Sequence, residues 1–276
     1  MLAPVTSSFA VLAAAALHAA PAAQAQCVYE MGVVVVPASV LGAAGDYILD
    51  TGAARTLMHE TRAQGSGFAD TSLAGEVRLG GLALAGRPVQ VADLDARTAH
   101  FPTPVAGVIG ADVLSAYVLD VDFAPCRVRL WRRGTAPPFP AEVRLPMSLR
   151  GGAPVIRAAV SDGPSARAGD FVVATGADRG AAISDAAASA AGIDRPEDAY
   201  AYGARRPRLR ALSLGGRLQE NPTSALVKAA ELPDGALGVL GAPALSGWRL
   251  RLDFPRGRLE LAPTKKAPDM PGPSKD

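Results

Sequence analysis

Short stretches of this chain alternate apolar and polar residues with a period of two. In Arg249-Leu250-Arg251-Leu252-Asp253-Phe254 the leucines and phenylalanine share one face, and the charged residues share the other. Tyr117, Leu119, Val121 and Phe123 alternate with their neighbours in the same way. Residues 33–36, 47–49 and 171–173 are unbroken apolar runs, the form taken by strands buried on both faces. Gly80-Gly81 and Gly215-Gly216 follow leucines at hairpin positions. One helix is predicted from Ser184 as N-cap to Gly192 just past the end, with short helices after Met58 and Asp112. The pattern is all-β.

Composition supports that reading. Twenty-nine glycines and 23 prolines among 276 residues favour turns over long helices, and 49% apolar residues supply a core. With 28 basic against 26 acidic residues, the net charge of +2 excludes an electrostatic nucleic-acid binder.

The first 25 residues hold no Asp, Glu, Lys or Arg, and residues 9–20 are apolar apart from His18. That run is too short to span a bilayer, which takes about 20 residues. It leads to Ala23-Gln24-Ala25, a small-x-small cleavage pattern. The expectation is a signal peptide over 1–25 and a periplasmic or secreted protein without a membrane span. The alternative is a buried N-terminal helix. In an oxidising compartment Cys27 and Cys126 are expected to pair, the other reading being two free thiols. Two cysteines with His59 and His100 are too widely spread for a zinc-ligand pattern. No metal and no cofactor is predicted.

An internal repeat organises the chain. Residues 107–130 match residues 238–261 at 11 of 24 ungapped positions. Upstream, Tyr47-Ile48-Leu49-Asp50-Thr51-Gly52-Ala53 matches Phe171-Val172-Val173-Ala174-Thr175-Gly176-Ala177. The two matches occur in the same order, so one unit is present twice. The expected division is a first lobe over 26–133, a proline-rich linker over 134–141, a second lobe over 142–262 and a disordered tail over 263–276.

Asp50-Thr51-Gly52 after an apolar strand, then Gly107-Val108-Ile109-Gly110, resembles the retropepsin-like and pepsin-like aspartic protease families. The likeness covers both repeats, and it is similar to exported bacterial proteins that carry two such lobes in one chain. It implies two β-barrel lobes, a peptide or protein substrate, and hydrolysis by a water activated between two carboxylates that share one proton. It makes Asp50 the catalytic carboxylate and Thr51 the brace between loops. Gly52 becomes the tight turn, with Thr175 and Gly176 as counterparts in the second lobe. Residues 68–75 are the expected flap.

The second lobe departs from the family at one residue. Ala174 stands where the second acid belongs. Asp178, four residues on, aligns with Ala54 and cannot replace it. Losing one acid–base partner costs ~10²–10⁴-fold in rate. An exported aspartic-type endopeptidase is the leading expectation, with a possible homodimer supplying a second Asp50. The alternatives are an inactive protein that keeps its cleft for peptide binding, and a single-carboxylate hydrolase. A serine hydrolase is disfavoured, because no Gly-x-Ser-x-Gly elbow accompanies His59 and His100.

Overall fold

The computed structural model describes residues 20–193, 196–197, 206–207 and 209–264. Residues 1–19 of the expected signal peptide and 265–276 of the expected tail lie outside them. The protein is all-β, and the helices among the described residues are short.

In the first lobe seven strands form one sheet, in the order Val28–Glu30, Val33–Val40, Ala43–Leu49, Val105–Ile109, Thr56–His59, Leu82–Ala92, Ser72–Leu79. Pairing of Val33–Val40 with Ser72–Leu79 closes the sheet into a barrel. The unbroken apolar runs lie at its centre: Val34, Val36, Ile48 and Leu49 are fully buried. The second lobe repeats the plan with Ala153–Ser161, Ala166–Ala174, Ala236–Gly241, Ala181–Ser184 and Ser224–Val227.

The repeat extends to backbone irregularities. Ala43–Leu49 pairs in parallel with Val105–Ile109, placing Tyr47 opposite Gly107 after a register shift between Asp46 and Tyr47. Ala166–Ala174 pairs in parallel with Ala236–Gly241, placing Phe171 opposite Gly238 after a shift between Asp170 and Phe171. In each lobe an aromatic ring fills the space over a glycine.

A six-stranded layer joins the lobes. Ala23–Gln26, Cys126–Trp131 and Val118–Phe123 come from one half; Trp248–Asp253, Arg258–Pro263 and Val143–Arg150 come from the other. Leu250 and Leu252 face its core as the alternation predicts, but Arg251 and Asp253 on the opposite face are also buried. Residues 134–141 cover Arg251, whose guanidinium lies over the Phe139 ring and donates to the Pro137 carbonyl at 2.8 Å, whereas Asp253 accepts the Arg256 N–H at 3.1 Å and pairs with its guanidinium at 3.0 Å.

Both Gly-Gly pairs turn hairpins, with Leu79 opposite Leu82 and Leu214 opposite Arg217. Gly80 and Gly81 both have positive φ, the backbone such a turn needs. Helices occupy Asp185–Ala190, capped by Ser184, and Glu60–Gly65 and Ala111–Leu114.

Cys27 and Cys126 form a disulfide with Cα atoms 5.0 Å apart. Two expected boundaries fall at residues that lie in strands. The cut after Ala25 falls inside the strand Ala23–Gln26, in which Ala23 and Ala25 are buried. Pro263, the first residue of the expected tail, belongs to the last strand, opposite Trp248.

Candidate active site

Each buried central strand ends in a Thr-Gly loop, and the two loops meet between the lobes. The Thr51 hydroxyl donates to the Val173 carbonyl at 2.7 Å, and the Thr175 hydroxyl donates to the Leu49 carbonyl at 2.6 Å. Each hydroxyl also accepts the other threonine's backbone N–H at 3.2 Å. Both threonines are fully buried. This reciprocal set pins each loop to the opposite lobe.

Close approach explains the glycines. A methyl on Gly52 would stand 2.5 Å from the Ala174 Cβ; one on Gly176 would stand 2.6 Å from the Asp50 Cβ. Beside the first loop, the Asp50 N–H donates to Ile109 and the Ala111 N–H to Ala53. The second lobe repeats this contact between Ala242 and Ala177. Hairpin tips reciprocate as well: Gly32 packs on Asp178 and Gly152 on Ala54, the positions that the repeat aligns with each other.

Asp50 is 5% exposed. Its Oδ1 accepts the Gly52 N–H at 2.8 Å and the Gly176 N–H at 3.3 Å. Across from it Ala174 presents only a methyl. The other carboxylate oxygen is taken by a residue that the sequence did not single out: Arg97 donates from Nη2 to Asp50 Oδ2 at 2.5 Å and to the Gly176 carbonyl at 2.9 Å. A lone arginine 47 residues from the motif carries no pattern. The available signal was indirect: Ala174 at the position matched to Asp50 leaves room beside the carboxylate for another side chain.

Arg97 lies on the one-turn helix Asp95–Thr98. This segment, with Ala96, His100 and Phe101, walls a cleft of ≈ 820 Å³ above Asp50. Residues 68–75, the expected flap, do not reach it. They lie in part on the barrel strand Ser72–Leu79 and beside a separate hollow against Glu60–Gly65, because the Gly75 region pairs with Arg87 in the sheet. Facing the cleft from the second lobe are Val172, Ala177, Leu232 and Pro233. Asp178 lines it too, paired with Arg179 at 3.5 Å rather than with Asp50.

His59 and His100 lie apart from each other in role. His100 lines the cleft. His59 is buried as the N-cap of Glu60–Gly65; its Nδ1 accepts the Thr61 N–H at 3.3 Å, and its Nε2 lies 3.1 Å from Asp95. His59, Asp93 and Asp95 bring ligand-type atoms within 4.8 Å of one another. With Nδ1 accepting, the hydrogen-bond pattern assigns the ring proton to Nε2, the atom a metal would need. The cluster reads as a tie holding Asp95.

No family model matches the sequence, and no curated protein matches it. A search of solved structures finds the aspartic proteinase from Irpex lacteus, with a TM-score of 0.54 over 88% of this chain and 97% of that one. This chain has the acid-protease fold. At 15% identity the likeness shows the fold alone.

Proposed function

We propose that this chain is an exported acid-protease-fold protein whose cleft holds an extended polypeptide, with Asp50 as a binding anchor rather than half of a proton-sharing dyad. The observation that carries this reading is the occupancy around Asp50: a guanidinium on one oxygen, two backbone N–H groups on the other, and a methyl where a second acid would stand. A general base must accept a proton from water. With Arg97 on Oδ2 and two N–H groups on Oδ1, the positions from which a water would hand its proton to Asp50 are already taken.

A homodimer does not readily restore the dyad. The surface that a second Asp50 would need is filled by the second lobe's own loop, hydrogen-bonded through Thr51 and Thr175. Export is supported by the disulfide and by the apolar N-terminus. No helix among the described residues is long and apolar enough to cross a membrane. Cleavage after Ala22, behind Ala20-Pro21-Ala22, would leave the strand Ala23–Gln26 whole.

The second reading, an aspartic-type endopeptidase with Asp50 catalytic, is favoured by one observation: the loop that presents Asp50 keeps its complete hydrogen bonding. A peptide-library digest at acidic pH separates the two. The binding reading expects retention of peptides without cleavage by wild type. Cleavage that disappears in Asp50→Ala would replace it with the endopeptidase reading.

A further inference from the structure

We propose that Asp50 and the Gly176 carbonyl form a subsite for an arginine side chain of the bound polypeptide, and that Arg97 fills this subsite as an internal stand-in in the free protein. The proposal rests on the polypeptide-binding reading and gives its ligand a chemistry.

The receptor consists of Asp50 Oδ2 and the Gly176 carbonyl, both facing one guanidinium nitrogen, at 2.5 and 2.9 Å. One planar N–H₂ group has a hydrogen for each. An ammonium could reach the same atoms but lacks the fixed planar geometry. In a two-acid site the second carboxylate would compete for this space; Ala174 leaves it open.

The segment that delivers Arg97 is lightly held. None of the residues of Asp95–Thr98 is buried, and the Asp95 side chain that His59 ties down is 77% exposed. Leu94, buried at 7%, and the half-buried Phe101 anchor its two ends on the core, and the turn between them carries no buried apolar side chain. The Arg97 side chain is itself 31% exposed, reaching inward from the rim. Lifting Asp95–Thr98 while these anchors stay in place therefore uncovers little apolar surface. What opposes its release is the buried carboxylate left without a cation. A neutral ligand cannot meet that demand, whereas one with its own guanidinium can. Once Arg97 withdraws, the ionisable cleft lining is Asp50, Asp178 and Glu231 against Arg179 and His100. Apolar walls at Ile48, Val172 and Val239 suit the aliphatic stem of an arginine.

Binding of a blocked alanine pentapeptide with one central arginine, and of its neutral citrulline counterpart, tests the subsite. Arg97→Ala should bind the arginine peptide about tenfold or more tightly than wild type, because the internal competitor no longer lowers the competent fraction. The citrulline peptide should bind at least about tenfold more weakly, and Asp50→Asn in the Arg97→Ala background should erase the difference. A second arm needs no peptide. Methylguanidinium should raise the Tm of Arg97→Ala in a dose-dependent way, with methylurea inert and the Asp50→Asn, Arg97→Ala variant unresponsive. Equal binding of both peptides, or a Tm indifferent to methylguanidinium, overturns the subsite. If methylguanidinium protects while neither peptide binds, the subsite stands and the polypeptide reading fails.

Discussion

Asp50-Thr51-Gly52 and Ala174-Thr175-Gly176 are one loop built twice, yet only the first carries an acid. The threonine hydrogen bonds are nearly equal in the two lobes, 2.7 and 2.6 Å to the opposing carbonyls. The loop geometry therefore depends on hydroxyls, glycines and backbone, and tolerates loss of the carboxylate. The two lobes differ elsewhere at matched positions. Tyr47 corresponds to Phe171, Cys126 to Gly257, and Asp120 to Arg251. The last pair is the most informative. In the joining layer Asp120 and Arg251 are direct register partners, bonded at 2.6 and 2.8 Å with both side chains buried. In two identical subunits the same residue would face its own copy there. Opposite charges at one repeat position fit two unequal lobes in one chain.

The largest effect is expected where the lobes differ in chemistry. Ala174→Asp in the Arg97→Ala background should give peptidase activity at acidic pH, about 10²–10⁴-fold over the Arg97→Ala variant alone. Adding Asp50→Ala should remove it. A peptide-digest assay reads this directly. No gain would mean that the second loop, despite its matching hydrogen bonds, does not aim a side chain as the first does.

Next is the joining layer. Arg251→Met leaves the buried Asp120 carboxylate with the Trp131 indole N–H as its remaining side-chain donor, and should cost about 3–5 kcal/mol in urea unfolding. Asp120→Leu with Arg251→Met should recover most of the loss, because two apolar residues leave no orphaned charge. A double variant as unstable as the single one would place the importance of this pair in packing, not charge.

Equivalence of the threonines can be tested by Thr51→Val and Thr175→Val. Each strands one carbonyl and one N–H of the opposite loop, and should cost about 2–3 kcal/mol. The two losses should agree within about 0.5 kcal/mol. The double variant should lose less than their sum, since the bonds form one network. A clear inequality in chemical denaturation would break the symmetry argument.

The strands and turns were legible because period-two patterns and Gly-Gly turns are local signals. The central strands were legible because apolar runs such as 33–36 have few other uses. The Asp50 loop was legible because it occurs twice, so its partner loop could be found by matching. Arg97 was not: its partner lies 47 residues away and its local sequence resembles any exposed turn. The flap was misplaced for the same reason. Nothing in residues 68–75 says that they pair into the barrel, and nothing in 93–101 says that they cover a carboxylate. Burial of Arg251 and Asp253 escaped the alternation because alternation cannot tell water from a covering segment such as 134–141 over Arg251, or from the Arg256 side chain that pairs with Asp253.

The smallest effect concerns Tyr47 and Phe171. The rings occupy the same place over Gly107 and Gly238, but only Tyr47 carries a hydroxyl, which donates to the Ala43 carbonyl at 2.7 Å. Burial pushes its pKa up to about 12 from 10.0, outweighing the opposing influence of the Val40 backbone and the Arg62 charge. The folded state thus favours the protonated phenol. Below pH 10 both folded and unfolded chains keep the proton and the contribution is constant. Between 10 and about 12 the unfolded chain releases a proton that the folded chain retains, so stability falls as pH rises. The slope for one group cannot exceed about 1.4 kcal/mol per pH unit. Tyr47→Phe should lose about 1 kcal/mol at neutral pH through the missing hydrogen bond. Above pH 10 it should decline less steeply than wild type, converging with it or crossing it. The difference between the two urea-unfolding curves isolates Tyr47, since every other titrating group is common to both. Parallel curves from pH 8 to 11 would mean that the hydroxyl is hydrated in solution, and that the first lobe's aromatic differs from the second's in name only.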